Sequence, residues 1–262
     1  GGVRNVATVR PTENGNTIEW PTMNATAEEG ELVGENASVT GLDPSFGTVN
    51  IGAYKYSSKA IAVPFELLQD NLVDLEGHIL DLLSERLARI TNRHYTVGTG
   101  SGQPNGIVTA SALGVTAAAT AAFTIDELID LEHSVDPAYR ASGNCKWMFH
   151  DLTLKALKKL KDGDSRPIWL PGYQTGAPNQ ILDYEYEINQ NMDTLAAAKK
   201  VILFGNTSKY LVRDVLAVQM FRMADSKYTE KGQVGFPAFL RTDGNFTCAD
   251  SGRIARMTTA AS

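Results

Sequence analysis

The chain has 262 residues, with 24 Lys and Arg against 30 Asp and Glu and a formal net charge of −6. That length allows one or two domains with a substantial core, and the mild acidity argues against a protein that grips nucleic acid through a broad basic face. Two cysteines are too few for a disulfide framework, no apolar run approaches the roughly 18 residues that cross a bilayer, and no signal peptide is visible.

Residues 1–18 are polar, with too few apolar positions to pack alone, and read as an extended arm. The first residue is Gly rather than Met, so we expect either a trimmed boundary or removal of a leader. Over 21–52 the chain is rich in Gly, Asn, Thr and Ser and holds Glu28, Glu29, Glu31, Glu35 and Asp43; no Lys or Arg occurs between Pro11 and Tyr54. An isolated hairpin is marginal in water and this stretch has little apolar payload, so by itself it reads as a disordered acidic loop.

From residue 64 the pattern turns helical. Phe65, Leu68, Leu72, Leu75, Ile79, Leu82 or Leu83, Leu87 and Ile90 recur at spacings of three and four and stripe one helix face. Pro64 suits the first helical position and Gly98 the C-terminal cap. One helix over that span would be roughly 50 Å long at 1.5 Å per residue, more rod than a compact enzyme needs. Glu66, Asp70, Asp74, Glu76, Asp81 and Glu85 precede Arg86, Arg89 and Arg93, an order that complements the helix macrodipole.

Residues 107–213 read as an α/β region that begins with a small-residue linker over 110–123. Thr124 and Glu127 form a capping box that opens a helix with Ile125, Leu128, Ile129 and Val135 on one side. Residues 146–149 form a buried strand, and Asp151 is placed to cap the next helix, with Leu154, Leu157 and Leu160 inward. Lys155, Lys158, Lys159 and Lys161 face outward, either as a solvated face or as a DNA contact. A loop over 167–180 leads to a half-exposed strand at 182–188. Residues 219–240 alternate as two strands joined by a turn at 225–232.

Catalytic chemistry is hard to find. The run Gly98-Thr-Gly-Ser-Gly102 lacks the Lys-Ser/Thr of a nucleotide-binding P-loop and follows a helix, where a dinucleotide fingerprint must follow a strand. His78, His94, His133 and His150 show no metal-ligand spacing, and no nucleophile elbow is present. We therefore expect no catalytic residue, no cofactor and no metal.

Three segments carry a resemblance to a known family. The long helix runs into Gly98-Thr-Gly-Ser-Gly-Gln-Pro-Asn-Gly-Ile107; Val201-Ile-Leu-Phe-Gly-Asn-Thr-Ser-Lys-Tyr-Leu-Val-Arg-Asp214 reads as strand–turn–strand; and a returning strand pair ends in Gly-Phe-Pro-Ala-Phe-Leu-Arg-Thr-Asp-Gly244. In their order and spacing these resemble the major capsid protein of tailed bacteriophages, the Hong Kong 97-type fold shared with encapsulins. Asn206 stands where the family usually has Asp, and Asp183-Tyr-Glu185 departs from its usual L-x-G-x-P.

The resemblance implies an α+β fold with an N-arm, an extended E-loop hairpin, a P-domain built on a long spine helix, and an A-domain. It places the N-terminal arm at 1–18, the E-loop with flanking P-domain strands at 19–53, and the P-domain with the spine helix at 54–105. The A-domain follows at 106–213, the P-domain return strands and P-loop at 214–241, and the A-domain return and C-terminus at 242–262. It implies a non-enzymatic shell subunit that assembles in pentamers and hexamers into an icosahedral head around double-stranded DNA, without sequence-specific binding and without a membrane. Portal, scaffold, maturation protease and a cement protein are the further partners implied, with residence in the host cytoplasm during assembly and in the virion afterwards.

Subunit contacts are expected at Glu28, Glu29, Glu31 and Glu35 of the E-loop, at Arg86, Arg89 and Arg93 of the spine helix, and at Lys227, Glu230 and Lys231 of the P-loop. Some relatives crosslink an E-loop lysine to a neighbour's asparagine with a glutamate as base. Here the hairpin holds no lysine, 229–233 holds no asparagine, and Ala238 stands near the position of the glutamate. Self-crosslinking is therefore not expected. The alternatives are an encapsulin-type compartment and a soluble α/β enzyme.

Overall fold

Distant parts of the chain are sewn into two sheets. The computed structural model describes residues 2–23, 31–36, 38–39, 46–70, 74–141, 143–161, 180–248 and 254–261. It begins with a one-turn helix α1 (Val3–Val6), strand β1 (Thr8–Thr12), and a hairpin of β2 (Ile18–Met23) and β3 (Phe46–Ile51). Strands β4 (Tyr54–Ser57) and β5 (Ile61–Pro64) follow, then helices α2 (Phe65–Asp70), α3 (Leu75–Val97) and α4 (Ile107–Ala110). The middle of the chain supplies β6 (Ala112–Thr116), α5 (Ile125–His133), α6 (Pro137–Arg140), β7 (Cys145–Phe149), α7 (Asp151–Leu157), β8 (Gln180–Ile181) and β9 (Tyr184–Ile188). It closes with β10 (Lys200–Asn206), β11 (Tyr210–Met220), α8 (Ser226–Thr229), β12 (Gln233–Phe236), β13 (Ala238–Phe246) and β14 (Ile254–Thr258).

The first sheet has four strands in the order β1-β11-β13-β4, and the second has six in the order β6-β14-β10-β7-β9-β8. Strands β10 and β11 are consecutive and carry the chain from one sheet to the other. Between them lies a single 3-10 turn, Thr207–Lys209, where the side chain of Asn206 accepts from the Ser208 N–H at 3.2 Å. An amide oxygen thus caps the turn.

Helix α3 lies against one face of the first sheet. Ile79, Leu83 and Leu87 bury against Tyr56, Val63, Val234, Phe236, Ala238 and Leu240. A second core, around Trp147, Phe149, Phe204, Leu128, Leu131 and Leu157, joins α5 and α7 to the second sheet. A third sits at the junction and holds Val3, Val6, Tyr95, Ile107, Met148, Leu203, Tyr210 and Val212. Tyr95, near the end of α3, is fully buried there, so the long helix is pinned at the seam between the two sheets.

Several expectations need correction. The helix is not continuous from 64: α2 ends at Asp70 and α3 starts after Asp74, whose carboxylate accepts from the Gly77 N–H at 3.0 Å. That cap restarts the helix, so α3 spans 23 residues and roughly 34 Å. Leu83 faces inward and Leu82 outward. Gly98 does end the helix, but in extended rather than left-handed backbone; a Cβ there would run into the carbonyl oxygens of His94 and Pro104. The glycine permits close approach of the following loop.

The arm is packed rather than loose: Val3 and Val6 are buried, and β1 pairs parallel with β11 from Thr8↔Leu211 to Thr12↔Val215. The 110–123 linker contains β6, paired with β14. On α5 the inward residues are Leu128, as expected, and Leu131, whereas Ile129 is exposed. His150, not Asp151, caps α7, with Nδ1 accepting from the Leu152 N–H at 3.0 Å. Leu182 and Asp183 form a two-residue turn with φ of 47° and 65°, so the strand begins at Tyr184. The 219–240 region divides at Pro237, which has no N–H to donate: β12 pairs with β5 and β13 with β11.

Candidate assembly surfaces

The β2–β3 hairpin leaves the body at one root. Its ladder runs in register from Ile18↔Ile51 to Met23↔Phe46, and its base is clamped by Arg213. Strand β11 alternates, so neighbouring residues point to opposite faces, and Arg213 and Asp214 serve the two sides of the sheet.

The Arg213 side chain is 2% exposed. Nε donates to Thr12 Oγ1 at 3.0 Å, and Nη1 donates to the carbonyls of Asn16, Ile51 and Gly52 at 2.7, 3.1 and 3.0 Å. Nη2 donates to the Asn14 carbonyl. A guanidinium is the side chain with enough fixed donors to gather a turn and a hairpin root at once.

Asp243, opposite Arg213 in the β11–β13 register, supplies the countercharge. Its Oδ2 accepts from the Gly52 N–H at 2.5 Å and its Oδ1 from the Gly244 N–H at 2.7 Å. Burial pushes its carboxyl above the usual range, against the pull of those two N–H groups and of Arg213. The same burial lowers Arg213.

On the other face, Asp214 accepts both Nη atoms of Arg4, at 3.1 and 2.5 Å. Its hydrogen bond raises Arg4 against the opposing effect of burial. Thr242 Oγ1 lies 2.8 Å from Asp214 Oδ1 and 2.5 Å from the Tyr95 hydroxyl, and burial pushes Tyr95 above the ordinary phenol range. One strand therefore ties down the N-terminal segment, the hairpin root and the end of α3.

The loop after α3 is a structural bolt. The Gly106 N–H donates to the Gly98 carbonyl at 3.0 Å, the Asn105 N–H donates to the Gly244 carbonyl at 3.0 Å, and the Tyr210 hydroxyl donates to the Asn105 carbonyl at 2.7 Å. The N–H groups of Gly98, Gly100, Asn105 and Gly106 are used within the fold. Among the described residues, no group of three or more His, Cys, Asp or Glu could hold a metal ion, and no helix is long and apolar enough to cross a membrane.

The predicted contact residues fall on separate surfaces. Glu28 and Glu29 lie outside the described residues; Glu31 and Glu35 are exposed. Arg86, Arg89 and Arg93 are exposed along α3, and Arg89 pairs with Glu85 one turn back. Lys227, Glu230 and Lys231 are exposed on and just after α8. That turn is a short helix rather than an open hairpin tip, held by Tyr228 packed over Gly235.

Sequence reasoning did not find the Arg213 clamp, although the Arg213-Asp214 pair lay within a quoted motif. The signal was two adjacent charges inside an otherwise apolar alternating strand. It also did not find an irregularity in β11, where Val215 pairs with Arg241 and Gln219 with Phe239, leaving Leu216, Ala217 and Val218 outside the ladder.

This architecture is that of a shell subunit, with a long helix on a sheet, a second sheet at its end, and a hairpin and arm anchored at a shared clamp. The model of the phage capsid family matches residues 1–251, and the chain belongs to that family. A capsid chain of a native GTA particle superposes with a TM-score of 0.85 at 23% identity, over 99% of this chain and 90% of that one. A structure from Microbacterium phage Oxtober96 gives 0.73 at 18% identity, over 98% and 90%. One from Mycobacterium phage Adephagia gives 0.74 at 13%, over 100% and 91%. No curated protein matches significantly. The chain is a major capsid protein with the Hong Kong 97-type fold, a virion component that forms the icosahedral head, and the family match favours the phage head over the encapsulin compartment.

Proposed function

We propose that this subunit builds a head enclosing double-stranded DNA by noncovalent reach, with the β2–β3 hairpin lying across a neighbour in the same capsomer. One observation carries the reading: Leu32, beyond the end of β2, is fully exposed at 102%. An apolar side chain held that far from its own core fits an occupant on another chain.

In this reading the arm is 1–18, the E-loop and its strands 19–53, and the P-domain 54–105 and 214–241, with the A-domain at 106–213 and 242–262. Two sheets with separate cores support a division into two domains, with β11 and β13 of the first sheet running across the boundaries at 213/214 and 241/242. The E-loop acids, the α3 arginines and the α8 charges are the contact residues. The subunit works without catalysis and without covalent crosslinks, assembles in the host cytoplasm with scaffold, protease and portal, and accepts a cement protein afterwards. Its inner face holds DNA loosely, in keeping with the net charge of −6.

Negative-stain electron microscopy with light scattering, on protein expressed from the full-length gene, tests the reading. Uniform hollow particles of genome-sized diameter are expected. A stable monomer that forms neither capsomers nor particles, even with scaffold and protease co-expressed, overturns it.

A further inference from the structure

Residues 2–6 lie across the seam between the two sheets. Val3 and Val6 pack into the junction core beside Tyr95 of α3, Met148 of β7, Leu203 of β10 and Val212 of β11, so one short segment meets both sheets and the helix between them. Its polar ties run the same way. The Val3 N–H donates to Asn92 Oδ1 on α3 at 2.9 Å, and the Gly2 N–H and Asn5 Nδ2 each donate to Glu187 Oε1 on β9 at 2.9 Å. Arg4 holds Asp214 on β11. Behind them, Asn92 Nδ2 donates to Asn189 Oδ1 at 3.0 Å, and the buried Asn189 donates through Nδ2 to Thr96 Oγ1 at 2.8 Å. The segment completes a bridge from α3 to the end of β9.

We propose that residues 2–6 are a detachable strap: seated, they lock the second sheet against the end of α3, and unseated, they free it to shift. The lock belongs to the subunit itself, whether or not it is assembled, and a partner that took up the N-terminal segment would release the second sheet.

The segment has little to hold it apart from its seat. Helix α1 is one turn with no side-chain cap at its N-terminus, and so short a helix is unstable alone. Arg4 and Glu187 are half-buried and Asn5 is exposed, so water can replace their bonds. Ala7 is extended and β1 has its own ladder with β11, which keeps the arm anchored when residues 2–6 lift. The loop after α3 and the turn between β10 and β11 cross the same seam covalently; the strap crosses it by contacts that part without breaking a strand ladder. The seat is also selective. Gly2 is buried at φ 105°, and a Cβ there would run into the Asn92 carboxamide, so the position calls for glycine.

Hydrogen exchange read by mass spectrometry on the full chain tests both halves of the proposal. In wild type, amides of residues 2–7 are expected to exchange at least a hundredfold faster than those of β10, through a local opening that leaves the sheets intact. Exchange no faster than that of β10 overturns the strap. Gly2→Val should keep it unseated. The N–H groups of Asn189 and Met192, which donate to the carbonyls of Phe149 and Asn189, and that of Gly98, which donates to His94, should then exchange at least tenfold faster, with β12 unchanged. Glu187→Ala should loosen the same amides, and Glu187→Gln, which keeps an acceptor, should resemble wild type; a Gln variant as loose as the Ala variant counts against the seat. Wild-type protection of those amides in a folded Gly2→Val or Glu187→Ala subunit overturns the lock. Failure of both variants to fold overturns it too, because a segment whose release unfolds the subunit is no strap.

Discussion

Arg213 shows how much one side chain can organise. It holds three carbonyls of the hairpin root and arm turn at 3.1 Å or less through one nitrogen, and it lies beside a buried carboxylate. Removing one partner of a buried, hydrogen-bonded charge pair costs about 3–5 kcal/mol, because the other charge is left without compensation. Arg213→Ala is expected to lower subunit stability by about that amount in chemical denaturation, and Arg213→Lys to recover only part of it, since an ammonium lacks the planar fork. Equal stability of the Ala variant and wild type would remove the clamp from the account. Asp243 makes a separate prediction in pH. Its folded-state pKa is raised, so the native state binds a proton more readily than the unfolded chain does. Its contribution to stability is fully present below the unfolded carboxylate pKa and is lost as pH rises through the folded value. Thermal melts of wild type and Asp243→Asn across that window should therefore show wild type losing ground to the variant as pH increases; a gap that is flat, or that moves the other way, contradicts the assignment.

At the scale of elements, local patterns announced what local chemistry decides. The Ile79, Leu83, Leu87 stripe, the Thr124–Glu127 capping box and the apolar run of β7 all stand where alternation and capping place them. The helix start at Asp74 was invisible because the apolar pattern of the sequence continues through it, while the cap depends on one carboxylate meeting one N–H. Replacing Asp74 by Ala should cost about 1 kcal/mol, read as a lower Tm. Pairing between distant strands was equally illegible: Thr12 and Asp214 touch across 202 residues, and no periodicity in either strand names its partner. The clamp depends on that pairing, so the Arg213 contacts could not be read in advance. The β11 irregularity also carries local strain. Leu216 at φ 60° is strained by roughly 1–2 kcal/mol relative to a glycine-compatible backbone, so Leu216→Gly should leave the isolated subunit as stable or more so. A variant less stable in chemical denaturation would remove that strain from the account.

For the whole molecule, the question is what holds many copies together. Each exposed ion pair contributes less than about 1 kcal/mol, so no single contact among the charged residues can fix the shell. Durability comes from the number of neighbours each subunit engages, provided that no covalent bond is made. The sequence supports that condition from both ends of the family reaction: the hairpin offers no amine between Pro11 and Tyr54, residues 229–233 contain no amide acceptor of the asparagine type, and Ala238 is a fully buried apolar residue. Boiled particles should therefore run as one band at the mass of a single subunit, whereas a ladder of oligomers would establish a crosslink through other residues. A noncovalent shell carries a second signature. Its dissociation releases independent subunits, so the denaturant midpoint for loss of particles should rise with total protein concentration. At 1 M salt the Debye length falls to about 3 Å, and the same midpoint should drop as the charged rims stop contributing, leaving apolar burial to hold the remainder. A midpoint indifferent to both concentration and salt would mean that the subunits are joined by something stronger than the surfaces described above.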